Sequence, residues 1–585
     1  MPGWLQKLFR DDQTHFLTLT KHFFRQFFEN EFISRGSEAR LSVVHILAWL
    51  PLPGIFYTFY IMPTYDDIRL FFPWQYHAVT LVDQCRYVTF SMIVIGIIAI
   101  LEWDALFLDR RDYAILGPLP LEGPAVFAAK VTSLLLFLSL FMVDVGGLPT
   151  LMYPLVESTG IRGPQVSFLR MSGMVLAHAM AVFGGSVFIF LFFVAIQGIL
   201  INLLHPRAFK IVSRCFQLQA IVALLLFLFL LPITSAGLPA WEPAHHPGFY
   251  WVPPLWFVGV YQTVLGSGDA AFRSLATIAI AALGVVTLAC AAAYALSYKR
   301  QAQRALEAAE AHTGETPWPA RATRWVLNQF VLRKPHERAT YFFVVNTLMR
   351  STKHRLYVAA YVGVGCALAA FGILEVSAHT VGRDFRAIIL EPNEALLSIP
   401  LLLSFFLLSG MRFVFTIPAE LHANWVFRLA EDESWLDCWS GARKAMVLRA
   451  VLLLLLLLPF YTVLWGWLVA FQHFIFCLLL SLMLIELLLL NFRKVPFTCS
   501  YQPGKAYITV LGVFYWLAFT TYAYTMTTLE RWLLRDAVRW IVFMFFTLLV
   551  LGILILWRKK RLVEGLGLIY EDEPNPDVQT LGLGA

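Results

Sequence analysis

Residues 446–491 read MVLRAVLLLLLLLPFYTVLWGWLVAFQHFIFCLLLSLMLIELLLLN. One helix needs about 20 apolar residues to cross ~30 Å of hydrocarbon, and this run is roughly twice that. It lacks the polar alternation of an outer-membrane barrel strand. In lipid an isolated span must satisfy its own backbone hydrogen bonds, so each pass is a helix. The run therefore predicts a helical hairpin. Its only polar break is Phe471-Gln472-His473, which predicts spans at 446–468 and 473–491.

The same reading extended along the chain predicts ten more spans, near 41–62, 86–103, 125–144, 171–204, 216–236, 272–297, 355–376, 396–416, 506–526 and 539–557. The stretch 171–204 is too long for a minimal span. Cutting it at Gly184-Gly185 leaves a first piece too short to cross, so one long, tilted or kinked helix is expected. Composition agrees. Of 585 residues, 59% are hydrophobic, 15% aromatic and only 14% charged, against roughly 25% charged in a soluble domain. A water-soluble globule could not hide that much apolar surface. A soluble enzyme, a nucleic-acid reader and a disordered scaffold are excluded. The seven cysteines form no CxxC pair and predict neither a disulfide framework nor a zinc site. The first residues, MPGWLQKLFRDDQTHF, hold no apolar core of a cleavable signal.

With the N-terminus in the cytoplasm, most of the 45 Lys and Arg fall on cytoplasmic segments, including the longest basic stretch, 299–355. That bias predicts a multi-pass protein of the inner (plasma) membrane with both termini inside. The chain divides at the polar stretch 301–335, a cytoplasmic linker, into a six-helix domain over 1–300 and a second over 336–585. Each opens with an amphipathic segment. In the first, Phe16, Leu19, Phe23, Phe27 and Phe28 recur at helical spacing opposite Lys21 and Arg25, as in a helix lying in the membrane interface. Each also has a polar cytoplasmic segment between its second and third spans. Gly237–Tyr261, rich in Pro and aromatics, lies outside, and 253–266 is short enough to be re-entrant or interfacial.

Between the second and third spans stands Leu106-Phe-Leu-Asp-Arg-Arg-Asp-Tyr-Ala-Ile-Leu-Gly-Pro-Leu-Pro-Leu-Glu-Gly-Pro-Ala-Val-Phe-Ala-Ala-Lys130. This stretch resembles the cytoplasmic loop of ABC-2-type ABC transporter permeases. There an Arg/Asp-containing stretch, a Leu-rich turn and a Leu-Pro pair lead into a helix ending in Lys. The resemblance implies an all-α polytopic membrane protein of about twelve transmembrane helices in two six-helix halves, with the ABC-2 (type V exporter-like) permease fold. It implies that the loop is a coupling helix received by a cytoplasmic ATP-binding subunit. Asp109, Arg110, Arg111 and Asp112 would give the ridge its charge, and Tyr113, Ile115 and Leu116 its apolar anchor. The second half matches in layout, which assigns Trp425, Arg428, Glu431 and Glu433 to the same task. Family permeases often carry one six-span unit per chain and dimerise. A twelve-span chain then reads as a fused pair, a pseudo-dimer within one chain, or as half of a homodimer.

The chain holds no GxxxxGK[ST] loop, so ATP and Mg are expected on the partner subunits and no cofactor in this chain. Membrane lipid is the other expected partner, and nucleic acid is not one. His178 and Glu486 are the polar residues singled out within spans, where charge costs ~2.5–3.5 kcal/mol. Glu486 lies within two turns of Arg493 and Lys494, close enough to reach the interface. His245-His246 beside Glu242 is the one outer group with ligand chemistry. A hydrophobic or amphipathic substrate suits a path with few charges. Two other readings remain. One is an ion-coupled twelve-helix secondary transporter, against which the scarcity of buried ionisable groups counts. The other is a membrane enzyme acting on lipid-linked substrates.

Overall fold

A computed structural model describes residues 13–28, 47–106, 112, 116, 123–158, 167–236, 247–307, 324–379, 390–419, 435–490, 492, 495–498 and 517–564. Among them every regular element is helical. The chain separates into two compact units, Met1–Thr313 and Gly314–Ala585.

The first unit runs α1 (Gln13–Phe28), α2 (Leu52–Phe71), α3 (Tyr76–Leu101), α4 (Gly123–Ser158), α5 (Phe168–Leu203), α6 (Pro206–Ala236), the short α7 (Pro253–Val264) and α8 (Ala270–Glu307). The second runs α9 (Pro335–Arg350), α10 (Thr352–His379), α11 (Glu394–Val414), α12 (Trp435–Trp465), α13 (Trp467–Leu488), α14 (Met526–Leu533) and α15 (Ala537–Glu564). Ten of the described helices are long and apolar enough to cross a membrane. The protein is an all-α polytopic membrane protein. Leu456, Val463, Phe545 and Leu549 stand more than half exposed, as lipid-facing side chains do.

Two of the predicted spans are not among these ten. The first, 41–62, is replaced in the described residues by α2, which starts at Leu52, carries Pro63, and runs on through Asp66, Asp67 and Arg69. The other, 506–526, falls mostly outside the described residues. Residues 171–204 form one helix, α5, of 36 residues, about 54 Å long. The hairpin breaks earlier than the polar triplet predicts. The turn is at Gly466, whose φ of +80° and ψ of 163° lie in a region open essentially to glycine alone. Gln472 and His473 consequently sit inside α13.

Caps and close approaches set the remaining geometry. The Ser167 side chain accepts from the Arg170 backbone at the start of α5, and that of Asn393 from Leu396 at the start of α11. Gly259 lets α7 lie directly on α8: a Cβ there would stand 2.5 Å from that of Leu275 and 2.8 Å from the Phe272 carbonyl oxygen. Gly441 plays the same part between α12 and α9, where a Cβ would meet the Glu337 carbonyl at 2.4 Å. Small residues at such crossings are how membrane helices gain contact without a hydrophobic drive.

The two units share a plan. In each, an amphipathic helix packs on the start of the third long helix (α1 on α4, α9 on α12). In each, the fourth packs on the third (α5 on α4, α13 on α12), and the last long helix returns against the fourth. A short helix precedes that last one in both.

Candidate functional site

One end of each unit is where the segment between the second and third long helices emerges. In the first unit this base is pinned from several sides. The Trp103 indole donates to Ser213 Oγ on α6 at 3.0 Å. Gln197 on α5 donates to the Trp103 carbonyl at 2.7 Å, and the Tyr294 hydroxyl on α8 donates to the Leu106 carbonyl at 2.6 Å. Asp112 is buried, and its Oδ1 accepts from Gln26 of α1 at 3.3 Å. Gln26 accepts in turn from Lys130 Nζ at 3.3 Å. Lys130 is 2% exposed, with its ammonium 4.9 Å from the Phe23 ring centroid and 5.1 Å from that of Phe27, a cation–π arrangement. Leu116 joins Leu19, Phe23, Val126 and Ala129 in one apolar cluster. The buried face of α1 therefore rests on α4.

These contacts place two of the predicted coupling residues. Asp112 and Leu116 turn inward, against α1 and α4, because an amide and an apolar pocket wait for them there. Asp109, Arg110, Arg111, Tyr113, Trp425, Arg428, Glu431 and Glu433 lie outside the described residues, as do Glu242, His245 and His246.

The base of the second unit is built differently to the same effect. The chain leaving α11 is held by paired backbone bonds to the segment after α13. Phe497 donates to the Phe415 carbonyl and Ala419 to the Phe497 carbonyl, both at 3.0 Å. Phe497 is buried with φ +67°, a left-handed conformation that costs a bulky residue energy. The rings of Phe343, His354 and Phe415 enclose it, and His354 Nε2 lies 3.1 Å from the Ile417 carbonyl. Lys444, near the start of α12, pairs with Glu337 of α9 at 2.5 Å, as Lys130 of α4 bonds Gln26 of α1. Beside them Lys334 Nζ stands 2.7 Å from Asp437, and this hydrogen bond holds the exposed ammonium above the ordinary lysine range.

Glu486 does not reach for water. It is 1% exposed. Its Oε1 accepts from Arg443 Nε at 2.6 Å, and Oε2 pairs with Arg558, whose guanidinium carbon lies 3.7 Å from the Trp439 ring centroid. The partners among the described residues are arginines of α12 and α15; Arg493 and Lys494 lie outside the described residues.

The opposite end of each unit carries a polar cluster. In the first, Asp83 of α3 is 1% exposed. Its Oδ1 accepts from Tyr57 and, at 3.1 Å, from Arg86; its Oδ2 accepts from Tyr65 at 2.8 Å. Tyr65 continues to Tyr153 at 3.2 Å. Glu157 of α4 accepts from Tyr261 of α7 at 2.7 Å and from Gln84 at 3.4 Å, and Gln84 accepts from Gln262 at 2.7 Å. Burial of a carboxylate is tolerable only with such a full set of donors. His178 lies among the rings of Tyr87, Tyr153 and Tyr261, 4.9–5.8 Å away between centroids. Neither of its ring nitrogens has a hydrogen-bond partner among the described residues, and it lines a small cavity with Gly54, Ser91, Pro149 and Thr150.

The second unit repeats part of this arrangement. His473 of α13 lies under Tyr461 of α12, with centroids 4.8 Å apart, as His178 of α5 lies under Tyr153 of α4. Here the short helix supplies a carboxylate: Glu530 Oε1 stands 2.7 Å from His473 Nδ1. Cys477 Sγ is 3.7 Å and 3.9 Å from the two ring nitrogens. His473, Cys477 and Glu530 are the one group among the described residues whose donor atoms could hold a metal ion.

The expectation of few buried ionisable groups is thereby corrected. Asp83, Glu157 and Glu530 read as residues of external connections, because the predicted spans begin or end short of them. In the structure α3 begins ten residues before the predicted 86, α4 ends fourteen after the predicted 144, and Glu530 sits on a packed helix. No protein family, characterised protein or solved structure matches this chain.

Proposed function

We propose that this chain is the membrane permease of an ABC-type transporter, moving a hydrophobic or amphipathic substrate with ATP hydrolysis supplied by separate cytoplasmic subunits. The observation that supports it is the doubled base. In both units an amphipathic helix is tied to a lysine near the start of the third long helix, Lys130 or Lys444. In both, the chain leaving the second long helix is hydrogen-bonded to other long helices or their ends. A push on the intervening segment would reach the bundle through these bonds. Such a segment suits a docking ridge of the kind that the resemblance of Leu106–Lys130 implies. With Asp112 and Leu116 committed inward, the docking charge falls to Asp109, Arg110 and Arg111.

The test is purification from native membranes in mild detergent. An ATP-binding subunit should co-purify, and its ATPase should fall when Asp109, Arg110 and Arg111 are replaced by Ala. A monodisperse chain that carries no ATPase, and transport driven by a proton gradient alone, would overturn the reading. That outcome would favour the ion-coupled alternative, which the buried carboxylates Asp83, Glu157 and Glu530 support.

A further inference from the structure

We infer that His473, Cys477 and Glu530 form a binding site for a thiophilic divalent transition-metal ion, zinc(II) being the ion that fits. The three side chains offer one sulfur, one nitrogen and one oxygen, all within 4.8 Å of one another and all buried. His473 and Cys477 are one turn apart on α13, so they present a common face. Glu530 arrives from α14. Around a tetrahedral zinc with bonds of ~2.0–2.3 Å, ligand atoms stand roughly 3.3–3.8 Å apart. The thiol-to-imidazole separations of 3.7 Å and 3.9 Å are close to that range without rearrangement.

A second observation points to a ligand. Glu530 is fully buried, its Oε1 faces His473, and its Oε2 has no hydrogen-bond partner among the described residues. A desolvated carboxylate oxygen left bare is costly. The neighbouring polar groups are already engaged. The Tyr461 hydroxyl donates to the Leu396 carbonyl at 2.8 Å, and Ser481 donates to the Cys477 carbonyl at 2.7 Å. The second carboxylate oxygen is left buried in a pocket whose other donors are an imidazole and a thiol.

A divalent ion also balances charge. An empty pocket with a thiol, and with one proton between the imidazole and the carboxylate, would be neutral. When Zn(II) enters, bonds form to the Cys477 thiolate, a neutral His473 nitrogen and a Glu530 oxygen, and both protons leave to solvent. Two positive charges enter and two leave, so the pocket stays neutral, as low dielectric demands. Three protein ligands leave a fourth position open, the pattern of a site that exchanges a ligand, unlike a closed structural site. Among the described residues the first unit shows no such group: one turn after His178 stands Val182 in place of a cysteine, and the short helix α7 turns Tyr261 to the ring where α14 turns Glu530. The inference is independent of the ATPase question.

The experiment uses the full chain, purified and reconstituted in phosphatidylcholine nanodiscs. It is equilibrated with buffered zinc, and separately with cobalt(II). The expected result is one zinc per chain and a thiolate-to-cobalt charge-transfer band. Cys477→Ser should abolish the band, and Glu530→Gln should weaken zinc binding at least ~10-fold, the factor that even an outer-shell partner can carry. Cys366→Ser should change neither. In case the variants fold poorly, zinc should also protect Cys477 from alkylation in an otherwise cysteine-free chain that remains monodisperse. Absence of zinc above background, a cobalt band that survives Cys477→Ser, or alkylation of Cys477 at the same rate with and without zinc would overturn the inference.

Discussion

Replacing Glu486 by Gln keeps the shape of the side chain and removes its charge. Two guanidiniums then share a pocket with no other counter-ion among the described residues: Arg443, 2.6 Å away, and Arg558, which is 8% exposed. Breaking a buried pair by removing one partner costs ~3–5 kcal/mol. Arg443 is 26% exposed and can turn toward water, so the cost falls toward the lower end, about 3 kcal/mol. At ~2–4 °C per kcal/mol for a domain somewhat smaller than this unit, the unfolding midpoint should drop by roughly 6–12 °C. The assay is thermal unfolding followed by fluorescence-detected size exclusion. The triple variant Glu486→Leu, Arg443→Leu, Arg558→Met should recover most of the loss, because an apolar replacement of a buried ion cluster is often neutral or stabilising. A midpoint for Glu486→Gln within about 2 °C of the wild-type value, less than the fall expected for even 1 kcal/mol, would refute the reasoning.

Gly466→Ala should destabilise the α12–α13 hairpin by about 1–3 kcal/mol, since φ +80° is open essentially to glycine; thermal unfolding of the variant measures it. Gly259→Ala should lower the unfolding midpoint by an amount equivalent to about 1–3 kcal/mol, because the new Cβ meets α8 at 2.5 Å and 2.8 Å. The further variant Gly259→Ala, Leu275→Ala should recover part of that loss. Lys130→Met should loosen α1 from α4, removing both the Gln26 bond and the ring contacts. Limited proteolysis should then cut within residues 13–28 faster than in the wild-type chain.

Hydropathy made the spans legible because lipid imposes a length and an apolar threshold on every helix. It set the ends less well. Asp83 and Glu157 look like loop residues by polarity, yet each lies inside a helix because partners on other helices satisfy it, and no local pattern announces those partners. The break at Gly466 was hidden for the opposite reason. A single glycine between two tryptophans carries no polarity, while the polar triplet downstream drew attention to a position that is merely interior. Of the candidate residues, His178 and Glu486 were visible as isolated polar letters in apolar runs. The His473–Cys477 spacing was equally visible in the sequence. Glu530, which gives the pair a third donor, comes 53 positions after Cys477 and on another helix.

The histidine under a tyrosine occurs twice, but its neighbours differ. A homodimer must place identical side chains at its two related positions, so any chemistry it has there it has in duplicate. Joining the copies in one polypeptide lifts that obligation. One unit can keep its acid and thiol while the other puts a phenol and a valine in those places, and mutation can then tune each separately.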